Sequence, residues 1–291
     1  MSDQAICWLD GHLMPAAEAS VSVFDHGLLY GDGVFEGIRF YHRRVFRLAA
    51  HLHRLADSAR VLALELPLDT AGFGAAIAQT IAATPWESGY LRLVVTRGVG
   101  ALGLDPRSCS RPCMFIIADR LKLMAEDSHR GARLIIAATR RLGADGLDPR
   151  IKSLNYLNPI LARLEANHAG ADEAIMLNTA GRVAEGTADN VFIVRERQLF
   201  TPPVTEGALD GVTRGILMEL AAAAGIRAAE RPLSPYDLYT ADECFLTGTA
   251  AEVVPVAEID GRPLRQCPGP VYTELSTRFQ ALIDEETRES S

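Results

Sequence analysis

The lysines are the first residues of this chain to suggest a chemistry, because only two of its 29 Lys and Arg residues are lysines, Lys122 and Lys152. A general bias towards arginine explains most surface cations, but a lysine that persists under that bias can mark a position where a guanidinium would not work. A desolvated amine loses its proton and becomes a nucleophile, whereas arginine stays protonated. Lys152 has the apolar neighbours Ile151 and Leu154. It is therefore the candidate nucleophile, with an ordinary surface lysine as the alternative.

Two further segments have residue types that suit an anion site. Residues 210–214 read Asp-Gly-Val-Thr-Arg, and Asp210 is predicted to cap a helix whose first amides and dipole would favour a phosphate. Residues 247–251 read Thr-Gly-Thr-Ala-Ala after a predicted strand, and such a turn exposes backbone N–H groups that can also hold an anion. The alternatives are a plain helix cap in the first segment and a plain turn in the second.

A nucleophilic lysine and two phosphate-binding segments match the requirements of pyridoxal phosphate. This cofactor needs an amine that forms an imine, a cradle for its phosphate and a carboxylate that keeps its ring nitrogen protonated. Glu185 lies in a predicted bend between two strands, in Val-Ala-Glu-Gly-Thr-Ala-Asp-Asn at residues 183–190. It is the candidate for this carboxylate.

A dinucleotide site is a weaker alternative. Gly98–Gly103 matches the pattern G-x-G-x-x-G, but such a site needs a helix that opens at the third glycine. Pro106 and Pro112 follow so closely that no helix of three turns fits between them. We therefore predict a loop over residues 97–112 and regard a nicotinamide-dependent dehydrogenase as disfavoured.

No metal site is predicted from the histidines and cysteines. His51 and His53 are two apart on a predicted helix, so they face different ways and are interpreted as packing or surface residues. Cys109 and Cys113 are four apart without a second pair or a nearby histidine, which does not fit zinc.

Composition excludes several other classes of protein. The chain has 48% hydrophobic residues and a formal net charge of −8, and an acidic protein without a basic stripe is a poor nucleic-acid binder. No window approaches the roughly 18–20 continuous apolar residues of a membrane span. The first 25 residues lack the pattern of a signal peptide, and the five scattered cysteines suggest a reduced, cytoplasmic protein.

Predicted helices and strands are mixed along the whole chain. The helices cover residues 48–64, 70–83, 158–168, 212–224 and 270–286, and Asn158 is predicted as the N-cap of the third. The strands cover residues 6–9, 12–15, 90–96, 113–119, 132–138, 173–177, 190–194, 199–201, 226–231, 243–247 and 252–259. This pattern predicts an α/β or α+β protein with a domain at 1–120, a linker at 121–131 and a second domain at 132–291.

Five segments, in this order, carry a resemblance to a known family. The first reads Asp-His-Gly-Leu-Leu-Tyr-Gly-Asp-Gly-Val-Phe-Glu-Gly-Ile-Arg at 25–39. The others are Lys-Ser-Leu-Asn-Tyr-Leu-Asn at 152–158, Glu-Gly-Thr-Ala-Asp-Asn at 185–190, Gly-Val-Thr-Arg at 211–214 and Thr-Gly-Thr-Ala-Ala-Glu at 247–252. Together they resemble the fold-type-IV pyridoxal-phosphate enzymes, most closely the branched-chain amino-acid aminotransferases, over nearly the whole chain.

This resemblance implies a fold and an activity. The fold would have a small N-terminal α/β domain and a larger C-terminal domain of pseudo-barrel type, in a homodimer whose loop 98–104 closes over a neighbouring subunit's site. The activity would be pyridoxal-phosphate-dependent amino transfer from leucine, isoleucine or valine to 2-oxoglutarate, which yields branched 2-oxo acids and L-glutamate.

The resemblance also implies roles for individual residues. Lys152 would hold the cofactor as an internal aldimine and shuttle the proton, Glu185 would pair with the ring nitrogen, and Tyr156 would bond the ring hydroxyl. The phosphate would be held by Arg54, Val212, Thr213 and Thr249. The substrate carboxylate would meet Thr249, Ala250 and Ala251, the substrate side chain would meet Tyr30, Phe35, Gly37 and Tyr90, and the distal carboxylate of glutamate would meet Arg39 and Arg92.

Three alternatives stay open beside this one. D-amino-acid aminotransferases usually carry Arg-x-His in the loop where residues 99–104 hold no charge, and aminodeoxychorismate lyases usually lack Phe-Glu-Gly-Ile-Arg at 35–39. A non-catalytic binding protein on the same scaffold is the alternative from another class. It is disfavoured while both Lys152 and Glu185 are present.

Overall fold

The computed structural model describes residues 4–120 and 130–288. The chain folds into two compact units, each of which is discontinuous in sequence. The first comprises Met1–Leu121, Ile151–Asn155 and Ile283–Ser291, and the second comprises Lys122–Arg150 and Tyr156–Leu282. The short segment that carries Lys152 therefore belongs to the first unit.

The predicted domain division, by contrast, follows chain order, with domains at 1–120 and 132–291 and a linker at 121–131. It stays a prediction. Most of that linker, including Lys122, lies outside the described residues.

An antiparallel sheet of six strands forms the centre of the first unit. The strands are β1 Ile6–Leu9, β2 His12–Pro15, β3 Gly33–Tyr41, β4 Arg44–Val45, β5 Gly89–Thr96 and β6 Cys113–Asp119. They lie side by side in the order β2-β1-β6-β5-β3-β4. The helices of this unit are α1 His26–Tyr30, α2 Leu48–Val61 and α3 Thr70–Ala82.

One face of this sheet packs against α2 and α3. Alternate residues of a strand point to the same face, and those on the helix side, such as Ile38 and Leu91, are fully buried. They form one apolar cluster with Leu55 of α2 and Ile77 of α3. The hydrophobic effect thus fixes which residues of β3 and β5 turn towards the opposite face.

The second unit is built on a nine-stranded mixed sheet. Its strands are β7 Ala132–Ile136, β8 Glu173–Leu177, β9 Val183–Gly186, β10 Asn190–Arg195, β11 Gln198–Thr201, β12 Ala228–Glu230, β13 Glu243–Gly248, β14 Glu252–Ile259 and β15 Arg262–Pro263. The order is β12-β11-β10-β13-β14-β7-β8-β9, and β15 pairs with β14. Three pairs are parallel, namely β11 with β12, β14 with β7 and β7 with β8. The helices are α4 Leu157–His168, α5 Val212–Ala223, α6 Pro235–Thr240 and α7 Pro270–Thr287.

The prediction of a mixed α/β protein is confirmed by these two units. Two predicted helix caps are wrong, however. α4 begins at Leu157 after Tyr156, because the side-chain amide of Asn158 donates to the carbonyl of Arg140 at 2.8 Å instead of capping the helix. α5 begins at Val212 after Gly211, with no side-chain cap bond from Asp210.

The glycine-rich segment after β5 also behaves as predicted. Residues 98–105 contain no helix, and only the three-residue 3₁₀ helix Pro106–Ser108 follows. The dinucleotide pattern therefore lacks the helix that it requires. Within the described ranges, no helix is both long enough and apolar enough to cross a membrane.

Candidate active site

The backbone around Lys152 is held from two sides within the first unit. Its carbonyl accepts from the Phe35 amide at 3.0 Å, and the Leu154 amide donates to the carbonyl of Gly33 at 3.0 Å, so this segment runs along β3. Its own amide donates to Ser58 Oγ of α2 at 3.1 Å. Residue 152 is half-buried, and its Nζ lies 4.6 Å from the centre of the Phe35 ring. The candidate nucleophile therefore stands on a fixed backbone beside an aromatic ring.

Five of the predicted substrate residues share one face of the six-stranded sheet. Gly37 pairs with Arg92 and Arg39 pairs with Tyr90 across β3 and β5, and Phe35 lies two residues before Gly37. The Arg92 guanidinium lies over the Phe35 ring, 4.2 Å from its centre. This is the face turned away from α2 and α3, so the structure brings the five side chains to one surface.

Gly37 leaves the space that Tyr90 occupies. A Cβ on Gly37 would collide with the Tyr90 hydroxyl oxygen. Burial raises the pKa of this hydroxyl, and the Arg92 charge opposes that effect. Tyr90 is therefore a neutral phenol at neutral pH, and it can donate or accept a hydrogen bond on this face.

Tyr30 lies elsewhere, at the end of α1, where it contacts the loop after β5. Its hydroxyl accepts from the Gly103 amide at 2.9 Å. His26 Nε2 donates to the carbonyl of Ala101 at 2.9 Å, and the His26 and Tyr30 rings pack edge to face. Tyr30 is thus placed with the predicted loop, not with the five residues on the sheet.

Arg54 belongs to a buried polar cluster that sequence reasoning missed. Its guanidinium donates to both carboxylate oxygens of Glu36, which also bonds His51. Burial alone would raise the pKa of Glu36, but the charge of Arg54 and the bonds from Arg54 and His51 outweigh burial and lower it to about 2. His51 is 1% exposed, whereas the His53 side chain is 81% exposed near Asp57. The interpretation of the two as packing and surface residues is confirmed.

In the second unit, Glu185 of β9 is held as a fixed, buried carboxylate. The residue is 5% exposed. Its Oε1 pairs with Arg141 Nη2 at 2.7 Å, and its Oε2 accepts from the Leu209 amide at 2.8 Å. Arg141 is a further residue that the sequence did not single out. A carboxylate with this support can present a constant negative charge to a ring nitrogen.

The two predicted anion segments meet the bend after Glu185. A Cβ on Gly211, just before α5, would collide with Asn190 Oδ1, and a Cβ on Gly248 would collide with Asp189 Oδ1. Glycine at both positions lets the start of α5 and the turn after β13 approach residues 186–190. The structure thus brings Val212 and Thr213 at the helix start and Thr249–Ala251 in the turn around one bend.

These residues fit pyridoxal phosphate by the chemistry of their donors. The first unit supplies an amine, Lys152, and a guanidinium, Arg54. The second supplies a fixed carboxylate, Glu185, and the amides at the start of α5, which no side chain caps. Tyr156 directly precedes α4. No sequence-predicted site residue falls outside the described ranges.

Comparison with known proteins agrees with this fit. The family model "Amino-transferase class IV" matches residues 33–259. A Methanocaldococcus jannaschii protein provisionally named a branched-chain-amino-acid aminotransferase is 50% identical over 275 residues, which are 94% of each chain. The branched-chain-amino-acid aminotransferase of Pseudomonas aeruginosa is 35% identical over 99% of this chain and 96% of its own.

Solved structures give the same result. The branched-chain amino acid aminotransferase of Escherichia coli superposes with a TM-score of 0.92 at 33% identity, over 98% of this chain and 96% of that one. A second branched-chain amino acid aminotransferase, from T.th. and solved with N-(5'-phosphopyridoxyl)-L-glutamate, superposes with a TM-score of 0.91 at 35% identity, over 96% and 94% of the two chains. The resemblance drawn from the five motifs is therefore confirmed.

Proposed function

The chain belongs to the class IV aminotransferases, and from this membership we propose that it transfers the amino group of L-leucine, L-isoleucine or L-valine to 2-oxoglutarate with pyridoxal phosphate. The products would be the branched 2-oxo acids and L-glutamate. The observation that carries the proposal is Lys152, a half-buried amine beside the face of Phe35, Tyr90 and Arg92. The names of the relatives support the same substrate class.

Lys152 would bind the cofactor covalently and move the proton at the substrate α-carbon. When bound, pyridoxal phosphate supplies an electron sink that makes this proton easier to remove. The Lys152 backbone is fixed by Phe35 and Ser58, while its long side chain keeps the freedom that a proton carrier needs. Arginine could not take this role, since it stays protonated and forms no imine.

Glu185 would keep the ring nitrogen protonated, because Arg141 and the Leu209 amide hold its carboxylate in place. The phosphate would be held by Arg54 and by the chain at Val212, Thr213 and Thr249. Tyr156 would bond the ring hydroxyl. None of these roles needs a metal.

The sheet face in the first unit suits both substrates of the proposed reaction. Phe35, Gly37 and Tyr90, with Tyr30, would accept a branched apolar side chain, and Arg39 and Arg92 would receive the distal carboxylate of glutamate. The substrate's own carboxylate would meet the turn Thr249–Ala251. One face with both aromatic and cationic groups explains how a single pocket could accept an apolar and an acidic side chain in turn.

We also propose a homodimer in the cytoplasm. Apolar side chains that a monomer would leave in water support the dimer, notably Leu157, Ile160, Leu161 and Leu164 on α4. Five free cysteines support a reducing compartment.

A half-reaction screen tests the substrate assignment. The purified protein, loaded with pyridoxal phosphate, is mixed with single L- and D-amino acids while the absorbance of the bound cofactor is followed. We expect L-leucine, L-isoleucine, L-valine and L-glutamate to change the spectrum. A response to D-alanine without one to L-leucine would instead favour a D-amino-acid aminotransferase.

The Lys152→Ala variant tests the mechanism in the same assay. It should lose turnover and hold the cofactor only non-covalently, and borohydride treatment of the wild type should fix the cofactor to the peptide that contains Lys152. Attachment to Lys122, or full activity in the variant, would overturn the assignment.

A further inference from the structure

Glu36 is a buried carboxylate that the proposed chemistry does not use. It lies between Phe35 and Gly37 in β3, but its side chain points to the opposite face, where its neighbours Ile38 and Leu93 are apolar. The residue is 0% exposed. Placing a charge in such a setting costs free energy unless partners compensate for it, so its partners indicate why it is there.

Both oxygens of Glu36 are filled by partners on α2. Arg54 donates Nε to Oε1 and Nη2 to Oε2, each at 2.8 Å, and His51 Nδ1 lies 2.8 Å from Oε2. An ionised carboxylate only accepts hydrogen bonds, so His51 donates from Nδ1. Burial lowers the pKa of His51, and the charges of Arg54 and Lys152 lower it further against the effect of Glu36. The cluster is thus one carboxylate, one guanidinium and a neutral imidazole.

The pairing fixes the direction in which Arg54 points. A carboxylate that accepts from both Nε and Nη2 sets the plane of the guanidinium, and the bond from His51 fixes the carboxylate in turn. The same side of α2 carries Ser58, which accepts from the Lys152 amide. His51, Arg54 and Ser58 are three and four residues apart, so they share one face of the helix.

We propose that Glu36 is the positioning residue for Arg54, with His51 holding Glu36, and that this cluster directs the guanidinium to the phosphate of the cofactor. The proposal rests on the proposed function, because it takes the assignment of Arg54 to that phosphate as its premise. Glu36 would touch neither cofactor nor substrate and would act only through Arg54.

A purely charge-balancing Glu36 makes the opposite prediction. If the carboxylate only neutralised Arg54, its removal would leave more positive charge for the phosphate, and phosphate binding would strengthen. If Glu36 orients Arg54, its removal lets the guanidinium move and phosphate binding weakens. The sign of the change therefore separates the two roles.

The test compares pyridoxal phosphate with pyridoxal, which lacks the phosphate. Dissociation constants of both are measured on the full-length protein freed of cofactor, for the wild type, Glu36→Gln, Arg54→Gln and the double variant. We expect Glu36→Gln to reduce the preference for the phosphorylated form by about tenfold or more, the size of one charge-assisted hydrogen bond. In the Arg54→Gln background, Glu36→Gln should cause no further loss, because it acts through Arg54.

Asp32→Asn is the matched control. Asp32 accepts from Nε and Nη2 of Arg97 in the same unit, so this variant also breaks a bidentate pair, but the preference for the phosphorylated form should not change. Glu36→Asp provides a second test if Glu36→Gln does not fold, since it keeps the charge and withdraws the carboxylate, and the same loss is expected.

Two results would overturn the inference: an unchanged or increased preference in the Glu36 variants, or losses that add in the double variant. A different result would reject the proposed function. If the wild type does not bind pyridoxal phosphate more tightly than pyridoxal, then the premise on which the inference rests is wrong.

Discussion

Several arginines in this chain occupy positions that suit a guanidinium. Arg97 pairs with both carboxylate oxygens of Asp32 and also donates to the carbonyls of Leu62 and Ala63, each at 2.7 Å. A single ammonium on a flexible stem could not satisfy four acceptors in one plane. Lys152 requires the converse, an amine that can give up its proton. The rarity of lysine is therefore compatible with a fold that uses arginine structurally and with one position that excludes it.

Arg141 is the residue on which the role of Glu185 depends. Its Nη2 pairs with Glu185 at 2.7 Å, and its side chain is 12% exposed. Arg141→Met keeps the length of the side chain and removes its charge. We expect kcat with L-leucine to fall about tenfold or more, by the loss of one charge-assisted hydrogen bond to the carboxylate, and the affinity for pyridoxal phosphate to fall as well. Steady-state kinetics at saturating cofactor and a cofactor titration measure the two effects.

Arg133→Met is the control for this experiment. Arg133 pairs with Glu258 at 3.0 Å, but its side chain is 50% exposed, and surface pairs contribute little. Its kcat and cofactor affinity should match the wild type. Wild-type kinetics in Arg141→Met would show that Glu185 does not need this partner.

Sequence motifs predicted Lys152 and Glu185 but not the residues that hold them. The predicted residues lie within short continuous motifs, and their side-chain chemistry is specific to the cofactor. Arg141 and Glu36 contact their partners only after the chain has folded, and an arginine or glutamate is common enough in any sequence to carry no signal by itself. Packing brings these residues together, so the sequence alone could not indicate the pairs.

At the scale of elements, the C-terminal end of α3 depends on one side chain from the β3–β4 turn. Arg43 donates from Nη1 to the carbonyls of Thr84 and Trp86, and from Nη2 to those of Ile81 and Ala82, at 3.0–3.3 Å. The last carbonyls of a helix have no partners within the helix, and a cation there also interacts favourably with the helix dipole.

Arg43→Lys should therefore destabilise the first unit. A lysine keeps the charge but cannot reach four carbonyls at once, and we expect a loss of about 1–3 kcal/mol in the free energy of unfolding. Chemical denaturation measures this change. Arg44→Lys is the control, since Arg44 is the exposed neighbour in the same turn. Equal stabilities of the two variants would contradict the capping role.

The elements that sequence patterns missed share a physical reason. β3 and β9 are buried on both faces, so neither shows the alternation of apolar and polar residues that indicates a half-exposed strand. β3 also contains Gly33 and Gly37, and glycine is unfavourable in strands. The space for Tyr90 explains Gly37 in the structure. The helices were easier to predict, because α2 has apolar residues at helical spacing and prolines bound α3.

At the scale of the whole molecule, strand order was beyond sequence reasoning. β7 pairs in parallel with β14, with Ala132 opposite Val256, and β5 lies between β3 and β6. Neighbours this distant along the chain are selected by packing of complete faces, which no local pattern records. The five motifs nevertheless predicted the family correctly, since the family model matches residues 33–259.

Large apolar side chains remain in water in each unit. In the first unit, Leu102 is 73% exposed and Leu28 is 62% exposed. In the second, α4 presents Leu157, Ile160, Leu161 and Leu164, which are between 46% and 68% exposed. Their spacing of three and four residues places them on one face of the helix. A contiguous apolar stripe on a helix is typical of a surface that another protein covers.

The proposed homodimer predicts that this stripe is buried in solution. Leu161→Glu would place a charge in the contact, and burying an unpaired charge is costly. We expect the wild type to sediment at twice the mass of one chain and the variant to dissociate at least about tenfold more readily in analytical ultracentrifugation. Val61→Glu is the control, because Val61 on α2 is 66% exposed but does not belong to the stripe. A variant that associates as tightly as the wild type would show that α4 faces solvent, and a monomeric wild type would reject the dimer itself.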